Sequence, residues 1–298
     1  MHHQLIQQLQ QGNIKALARS ISLVENEVPG YAQLLAGLPA SPTKIIGITG
    51  APGAGKSTLV DALIAEFVNN SNRVGILCVD PSSPFNMGAL LGDRVRMGQW
   101  HNHPGVFIRS LASRGSLGGL SPKIIEITEV MKAAPFDVII VETVGVGQSE
   151  VEIAGLADTT VVVMVPEGGD EVQTMKAGLM EIADIFVVNK ADRPGADSFE
   201  KNLLLMLAPA FMKNAAEIAI VKTAATSKEG VGELYHKIVA HQRTIKNSDK
   251  KYWLLAERAY HLIQHKRMRG ITRQQLFTQI KMHTGVHFNL YAFVESQT

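Results

Sequence analysis

Cysteine is almost absent from the sequence: Cys78 is the only one among 298 residues. A single thiol excludes an intrachain disulfide and a cysteine-rich zinc site. Cys78 lies inside the apolar run Val74–Val79, so we interpret it as a small buried core residue and not as a reactive thiol. Neither disulfide chemistry nor cysteine-ligated zinc is therefore expected.

A surplus of charge of one sign is also missing. Lysine and arginine number 29 and the acidic residues 27, which gives a formal net charge of +2. That balance provides no general attraction to nucleic acid or to an anionic membrane surface, so neither is expected as a partner. The sequence has no apolar stretch near the ~18 residues that cross a bilayer, and its polar beginning shows no signal segment. We therefore expect a cytoplasmic protein.

Short apolar runs, by contrast, are frequent, since 46% of the residues are hydrophobic. Seven of these runs are rich in valine and isoleucine and nearly all apolar, as strands buried on both faces must be. They are Ile45–Thr49, Val74–Val79, Val106–Ile108, Val138–Val141, Thr160–Val165, Ile185–Val188 and Ile218–Val221. Amphipathic stretches of helical period lie between them and supply parallel crossovers. The pattern predicts an α/β fold with a doubly wound, mostly parallel sheet.

The two ends of the sequence have helical patterns without strand signals. Residues 1–42 predict a helical extension, in which Asn13 caps a helix and Pro39 and Pro42 break the pattern. Residues 43–246 hold the alternating strands and helices. Residues 247–298 contain two amphipathic stretches that we expect to pack on the main domain or on a partner chain. The sequence thus predicts one α/β domain between an N-terminal and a C-terminal helical extension.

A glycine-rich loop follows the first predicted strand and precedes a predicted helix, which is the context that makes the P-loop pattern specific. Glycines let successive backbone N–H groups point at phosphates, and the helix N-terminus adds its positive end. We expect Lys56 to reach the β- and γ-phosphates and Ser57 to hold Mg²⁺ through its hydroxyl. The predicted phosphate-binding residues are Gly50, Ala51, Pro52, Gly53, Ala54, Gly55, Lys56, Ser57 and Thr58.

A second motif, Asn189-Lys190-Ala191-Asp192, follows the predicted strand Ile185–Val188 and resembles the guanine-reading motif of GTPases. Asp192 can accept hydrogen bonds from guanine N1–H and from the exocyclic amine. Adenine offers neither donor on that edge. We expect Asn189 to brace the loop and Lys190 to lie along the base plane.

A looser match follows the last predicted strand. Thr223-Ala224-Ala225 resembles the loop that closes over guanine in GTPases, with threonine in place of serine. Because that loop contacts guanine O6 through a backbone N–H, the residue types Thr223, Ala224 and Ala225 are compatible with the role. The three motifs together predict that GTP and GDP are the ligands.

Three acidic residues come at the carboxyl ends of predicted strands or just beyond them: Asp80, Asp93 and Glu142. Ligands of open α/β sheets bind at that edge. Near a bound Mg²⁺ these carboxylates would stay ionised and either coordinate the ion through water or position the attacking water. Asp93 has the alternative of capping a helix that begins there. We predict catalytic roles for Lys56 and these three acids, and a metal site made by the acids with Ser57.

Four phrases carry a resemblance to a known family: Asp80–Pro84, Leu91–Met97, Glu142–Glu150 and Asn189–Asp192. They resemble the MeaB/ArgK family of P-loop GTPases, of the SIMIBI class, and the similarity runs from about residue 12 to 245. The resemblance implies a GTPase chaperone for an adenosylcobalamin-dependent acyl-CoA mutase, which gates the loading of the cofactor and its protection. It also implies a homodimer built by the C-terminal helices.

The resemblance extends to a loop after the fifth predicted strand. Residues 166–176 align with an additional switch loop of the family, which relays the nucleotide state to the mutase; the charged positions implied here are Asp170, Glu171 and Lys176. Glu167 departs from the family pattern, which usually has glycine at this point. An ordinary strand-to-helix loop is the alternative.

Two arginines motivate a separate hypothesis. Arg109 and Arg114 follow the predicted strand Val106–Ile108 and precede the glycine-rich run Gly115–Gly119. Such a loop could present an arginine to the γ-phosphate or to a partner. The alternative is that these side chains are merely solvated.

Two other functions stay open at this point. One is a metal-insertion GTPase of the same class, against which the single cysteine and the scattered histidines count. The other is a kinase linked to arginine or ornithine transport, an older label for the family. The sequence offers no dedicated acceptor-binding motif for it.

Overall fold

The computed structural model describes residues 2–80, 97–113, 120–145, 149–167, 182–211, 219–244, 249–268, 270–283 and 288–297. The chain divides into two compact units, Met1–Leu254 and Leu255–Thr298. The three-part division expected from the sequence, with boundaries at 42 and 246, stays a prediction. Across the described ranges, no helix is both long and apolar enough to cross a membrane.

A seven-stranded sheet with the order β3-β2-β4-β1-β5-β6-β7 forms the centre of the first unit. Every pairing is parallel, so the fold class is confirmed and the sheet is more regular than the mostly parallel one expected. The strands are β1 Lys44–Thr49, β2 Val74–Asp80, β3 Val106–Ala112, β4 Val138–Glu142, β5 Thr159–Met164, β6 Ile185–Asn189 and β7 Ala219–Thr223.

All seven predicted strands are present, but β3 is longer than expected. The apolar run predicted an end at Ile108, because Arg109 and Ser110 interrupt the pattern. The strand continues to Ala112 because it pairs with β2 along its whole length, from Val74↔Val106 to Asp80↔Ala112. Backbone pairing with a buried neighbour therefore extends the strand through two polar residues.

Helices cover both faces of the sheet. They are α1 His2–Gln10, α2 Ile14–Glu25, α3 Tyr31–Ala36, α4 Lys56–Asn69, α5 Ile124–Lys132, α6 Ser149–Leu156, α7 Ala196–Phe211 and α8 Val231–Thr244. A short 3-10 helix, Gly98–Trp100, follows β2. One core cluster joins α1, α2, α3, α5 and α6 to the sheet, and another joins α4 and α8 to it. A smaller cluster lies between α7 and strands β5 and β6.

The N-terminal helices share the core of the sheet. Asn13 caps α2 as expected, since its Oδ1 accepts a hydrogen bond of 3.0 Å from the backbone N–H of Ala16. Leu9, Leu17 and Ile21 are fully buried in the same cluster as the apolar face of α5. The extension therefore has no separate core.

Ion pairs also fix the segment that follows α2. Lys123 Nζ lies 2.5 Å from Glu27 Oε1 and 3.0 Å from Glu126 Oε1. Burial by itself would lower the pKa of Lys123, but the hydrogen bonds to Glu27 and Glu126 raise it above its usual value. The ammonium is thus held in its charged form between α5 and the residues that follow α2.

The second unit consists of helical segments. Helix α9, Asp249–Arg267, runs across the boundary between the two units, and α10 Arg273–His283 and α11 Leu290–Glu295 follow. Within this unit Phe293 is buried and its ring lies 5.7 Å from that of Phe288. Many large apolar side chains of the unit are exposed, among them Tyr260, Ile263, Phe277, Met282 and Tyr291.

Candidate active site

The loop between β1 and α4 has a backbone that only glycine tolerates well. Gly50, Gly53 and Gly55 have φ values of 137°, 80° and 86°. A Cβ on Gly50 would lie 2.0 Å from the carbonyl oxygen of Val163, and one on Gly55 would lie 2.5 Å from Nδ2 of Asn189. The loop is therefore packed between β5 and the residue that ends β6, in the conformation that turns successive N–H groups toward a phosphate.

Lys56 is the first residue of α4, and its buried side chain folds over the loop that precedes it. Nζ donates hydrogen bonds to the carbonyl oxygens of Gly50, at 2.8 Å, and Ala51, at 3.0 Å. These two carbonyls hold the ammonium beside the loop, where the phosphates of a nucleotide would lie.

Gly145 is a residue of this site for which no separate role was predicted. Its φ is 85°, and a Cβ there would lie 2.5 Å from Lys56 Nζ and 2.2 Å from the Gly50 oxygen. The backbone of Gly145 thus lies directly against the P-loop. A glycine three residues beyond Glu142 was the available signal, and only the packing shows why no side chain fits.

Ser57 and Glu142 meet where α4 begins and β4 ends. Ser57 Oγ donates a hydrogen bond of 2.7 Å to Glu142 Oε1, and both side chains are buried. The register Ile48↔Glu142 places this carboxylate beside the end of β1. A bond of 2.9 Å between the hydroxyls of Thr49 and Thr143 ties the same two strand ends together.

Asp80 ends β2 and is buried. Since Cys78 pairs with Glu142, the two acids lie at the same edge of neighbouring strands, as the sequence predicted. Hydroxyl and carboxylate oxygens are the ligands that Mg²⁺ prefers, so the donor set of Ser57, Asp80 and Glu142 fits this ion. No cluster of three or more His, Cys, Asp or Glu side chains able to hold a metal occurs in the described part of the chain.

Asn189 joins three loops through one buried amide. Its Nδ2 donates a hydrogen bond of 2.8 Å to the carbonyl oxygen of Ala54 in the P-loop. Its Oδ1 accepts from Thr223 Oγ1 at 3.0 Å and from the N–H of Ala225 at 3.3 Å. These contacts are those expected of a brace, and they connect the phosphate loop to both loops predicted to bind guanine.

The Asn189–Asp192 loop turns sharply at Lys190, whose φ is 58°. The Ala191 N–H donates a hydrogen bond of 3.0 Å to the Thr223 carbonyl, and the Arg193 N–H donates one of 3.0 Å to the Lys190 carbonyl. The backbone of the loop is therefore fixed, while the side chain of Asp192 is exposed at its tip.

The loop after β7 has its first alanine already engaged. The N–H of Ala224 donates 3.0 Å to the Glu229 carbonyl, whereas the N–H of Ala225 makes the longer contact with Asn189. Both N–H groups are therefore bonded within the protein, and the bond of Ala225 is the longer of the two.

Arg109 is not brought to this site. Its Nη2 lies 2.9 Å from Glu25 Oε2, in helix α2, and α2 packs on the face of the sheet opposite α4. The remaining predicted residues, Asp93, Arg114, Asp170, Glu171 and Lys176, lie outside the described residues.

An ion pair that sequence reasoning missed borders the Asn189–Asp192 loop, the guanine loop. Glu167, just beyond β5, pairs with the guanidinium of Arg193, which follows Asp192. The hydrogen bond from Arg193 holds the pKa of the Glu167 carboxyl below its usual value. The sequence marked Glu167 only as a departure from a family pattern, because nothing local connects it to a residue 26 positions away.

A P-loop between β1 and α4, braced by the asparagine of an Asn-Lys-x-Asp loop, defines the class: the protein is a P-loop GTPase. A model of one family, described as methylmalonyl Co-A mutase-associated GTPase MeaB, matches residues 17–283. The chain belongs to this MeaB family, and the family predicted from the sequence is confirmed.

Individual similarities agree with this assignment. A predicted GTPase of Pyrococcus abyssi is 49% identical over 255 residues, which cover 84% of this chain and 79% of the relative. A fused isobutyryl-CoA mutase of Geobacillus kaustophilus is 37% identical over 210 residues, covering 66% of this chain and 19% of that protein. A crystal structure of an LAO/AO transport system kinase is 28% identical, with a TM-score of 0.66 over 95% of this chain and 85% of the other.

Proposed function

We propose that this GTPase is a chaperone for an adenosylcobalamin-dependent acyl-CoA mutase of the methylmalonyl-CoA mutase type, and that it gates loading and protection of the cofactor. The observation that carries the proposal is the fused isobutyryl-CoA mutase, in which a region 37% identical to this chain is covalently part of a mutase. Covalent linkage raises the effective concentration of one module at the other, which is useful when the two act together.

In the proposed hydrolytic site, Lys56 exchanges the carbonyls of Gly50 and Ala51 for the β- and γ-phosphates of GTP. Ser57 and Glu142, which are bonded to each other here, would hold Mg²⁺, and the ion would supply neutralisation of phosphate charge. Asp80 would hold a water molecule at the same strand edge, either to coordinate the ion through that water or to position the attacking water. The proposal for Asp93 is the same as for Asp80: it would coordinate the ion through water or position the attacking water.

In the proposed base site, the carboxylate of Asp192 accepts from guanine N1–H and from the exocyclic amine. Lys190 lies along the base, and the N–H of Ala225 donates to O6. The bonds of Asn189 to Ala54 and Thr223 hold these groups in register with the phosphate loop. Guanine is selected because an adenine would leave the Asp192 carboxylate unpaired.

We further propose a homodimer formed through the C-terminal unit, in a cytoplasmic protein. Large apolar side chains of this unit are exposed in the single chain, with Met282 at 79% and Tyr291 at 83%. Exposed apolar surface of this kind marks interaction sites. A second copy of the chain is the proposed partner.

GTP hydrolysis measured with and without the apoenzyme of an acyl-CoA mutase tests the chaperone role. We expect at least a tenfold rise in the rate of phosphate release and co-elution of the two proteins on a sizing column. Bovine serum albumin at equal concentration is the control. An unchanged rate without co-elution contradicts the proposal, and transfer of labelled phosphate to arginine would support a kinase in its place.

A further inference from the structure

The tip of the guanine loop carries two opposite charges in sequence. Asp192 and Arg193 are neighbours, and both side chains are exposed. An arginine guanidinium has five donors in a planar fork, which suits it to form hydrogen bonds with both oxygens of a carboxylate. Arg193 is therefore a built-in competitor for the acceptor that reads guanine.

In the structure Arg193 is engaged elsewhere. Its guanidinium pairs with Glu167, and the two side chains are 50% and 47% exposed. The pKa of Arg193 is raised mainly by the hydrogen bond that it donates to Glu167, and to a smaller extent by the charge of Asp192. Arg193 thus lies within electrostatic reach of both carboxylates and is bonded to Glu167.

We infer that Glu167 is a positioning residue for base recognition: by binding Arg193 it keeps the Asp192 carboxylate available to guanine. The inference rests on the proposed role of Asp192 in reading the base. Guanine presents two N–H donors to one carboxylate, so both oxygens of Asp192 are needed. A guanidinium on either oxygen would remove one acceptor and neutralise the charge that strengthens the other bond.

The backbone of the loop does not depend on Glu167. The Ala191 N–H is bonded to Thr223, and the Asn189 side chain is bonded to Ala54 and Thr223. Removal of the Glu167 carboxylate leaves these contacts in place and changes the partner of Arg193. The expected defect is therefore in affinity for the base and not in folding.

Titration with a fluorescent GDP analogue tests the inference. Glu167→Ala is expected to weaken binding about three- to fivefold, the range for an exposed charged pair. Arg193→Ala should bind within about twofold of the unaltered protein, and the double variant should recover to the same level, because the competing cation is gone. Glu129→Ala, which removes a carboxylate paired with Lys132 on α5, is the matched control and should change nothing.

A comparison of GDP with inosine diphosphate separates this role from a structural one. The hypoxanthine base lacks the exocyclic amine, so the ratio of the two affinities reports the contact with Asp192. We expect Glu167→Ala to lower that ratio, and the double variant to restore it. An unchanged affinity in Glu167→Ala, or a double variant as weak as Glu167→Ala, overturns the inference.

Asp192→Ala distinguishes failure of the inference from failure of the base assignment. If Asp192→Ala binds GDP as tightly as the unaltered protein, Asp192 does not read guanine and both ideas fall. If Asp192→Ala is weak, we expect that adding Glu167→Ala causes no further loss. A further loss of threefold or more in that background would show that Glu167 acts by another route and overturn the inference alone.

Discussion

At the phosphate end of the nucleotide site the charged and hydroxyl side chains are buried, whereas at the base end the charged side chains are exposed. Lys56, Ser57 and Glu142 lie below the surface and are held by hydrogen bonds of 2.7 to 3.0 Å. At the base end Asn189 and the loop residues Thr223, Ala224 and Ala225 are buried, while the charged side chains of Asp192 and Arg193 stand at the surface. Phosphate binding is therefore organised before the ligand arrives, and base selection depends on exposed charges that have competing partners.

Lys56→Ala tests the buried end most directly. We expect GTP hydrolysis to fall a hundred- to a thousandfold, because a positioned cation in a site shielded from water stabilises developing charge strongly. Release of inorganic phosphate is the measurement.

Lys44→Ala is the control for that experiment. Lys44 begins the same strand β1 and pairs with Asp158 at 3.5 Å, far from the loop. A Lys44→Ala rate close to normal is expected. A Lys56→Ala protein that keeps more than a tenth of the activity would show that the buried ammonium is not the main cation of the site.

Asn189→Ala tests whether the buried hydrogen bonds of Asn189 stabilise the fold. It removes three hydrogen bonds and leaves the Ala54 carbonyl and the Thr223 hydroxyl buried without their partner. We expect the free energy of unfolding to fall by about 2–3 kcal/mol. Urea denaturation followed by circular dichroism measures it.

For comparison, Asn70→Ala removes an exposed asparagine that bonds Glu66 at the end of α4. Its expected cost is below about 1 kcal/mol. Equal effects of the two substitutions would contradict the assignment of a structural role to Asn189.

The smallest effect is expected from Lys222→Met at the exposed rim of β7. Lys222 Nζ lies 2.8 Å from Asp197 Oδ1 and 3.1 Å from Glu200 Oε2. The hydrogen bond to Asp197, followed by that to Glu200, raises the pKa of Lys222 from 10.5 to about 12. Its stabilising contribution is fully present below pH 10.5 and is lost as the pH rises through about 12.

Acid should remove the stabilisation by this ion pair as well, because it protonates Asp197, the partner of Lys222. Lys222 lowers the pKa of Asp197 from its usual 3.8, so the stabilisation is present above that value and is lost as the pH falls through the folded-state pKa. We expect urea midpoints of Lys222→Met and the unaltered protein to differ slightly at pH 7 and to converge below pH 3.8. Lys237→Met, an exposed lysine of α8, should show no such convergence. A difference that persists in acid would exclude the ion pair as its source.

Local sequence patterns were enough to predict most of the fold and those parts of the site that are continuous in sequence. The apolar runs located all seven strands, and the spacing of glycines located the P-loop. The brace at Asn189 was also predictable, because its motif follows a strand directly.

Contacts between distant parts of the chain were not predictable. Arg109 bonds Glu25 across 84 positions, and the sequence treated that arginine as a candidate switch residue. The Glu167–Arg193 pair and the packing of Gly145 on Lys56 depend equally on which strands become neighbours. An amino-acid pattern states which residues carry charge, whereas the fold decides which opposite charge each one meets.

The shared core of the N-terminal helices has a consequence for synthesis. Helix α2 leaves the ribosome before the strand that supplies Arg109, since 84 residues separate Glu25 from that arginine. At the usual 5–20 residues per second, this delay is roughly 4 to 17 s. During that interval helix α5, which shares a core cluster with Leu17 and Ile21, has not been made, so the nascent chain presents an apolar helix face before its core is complete.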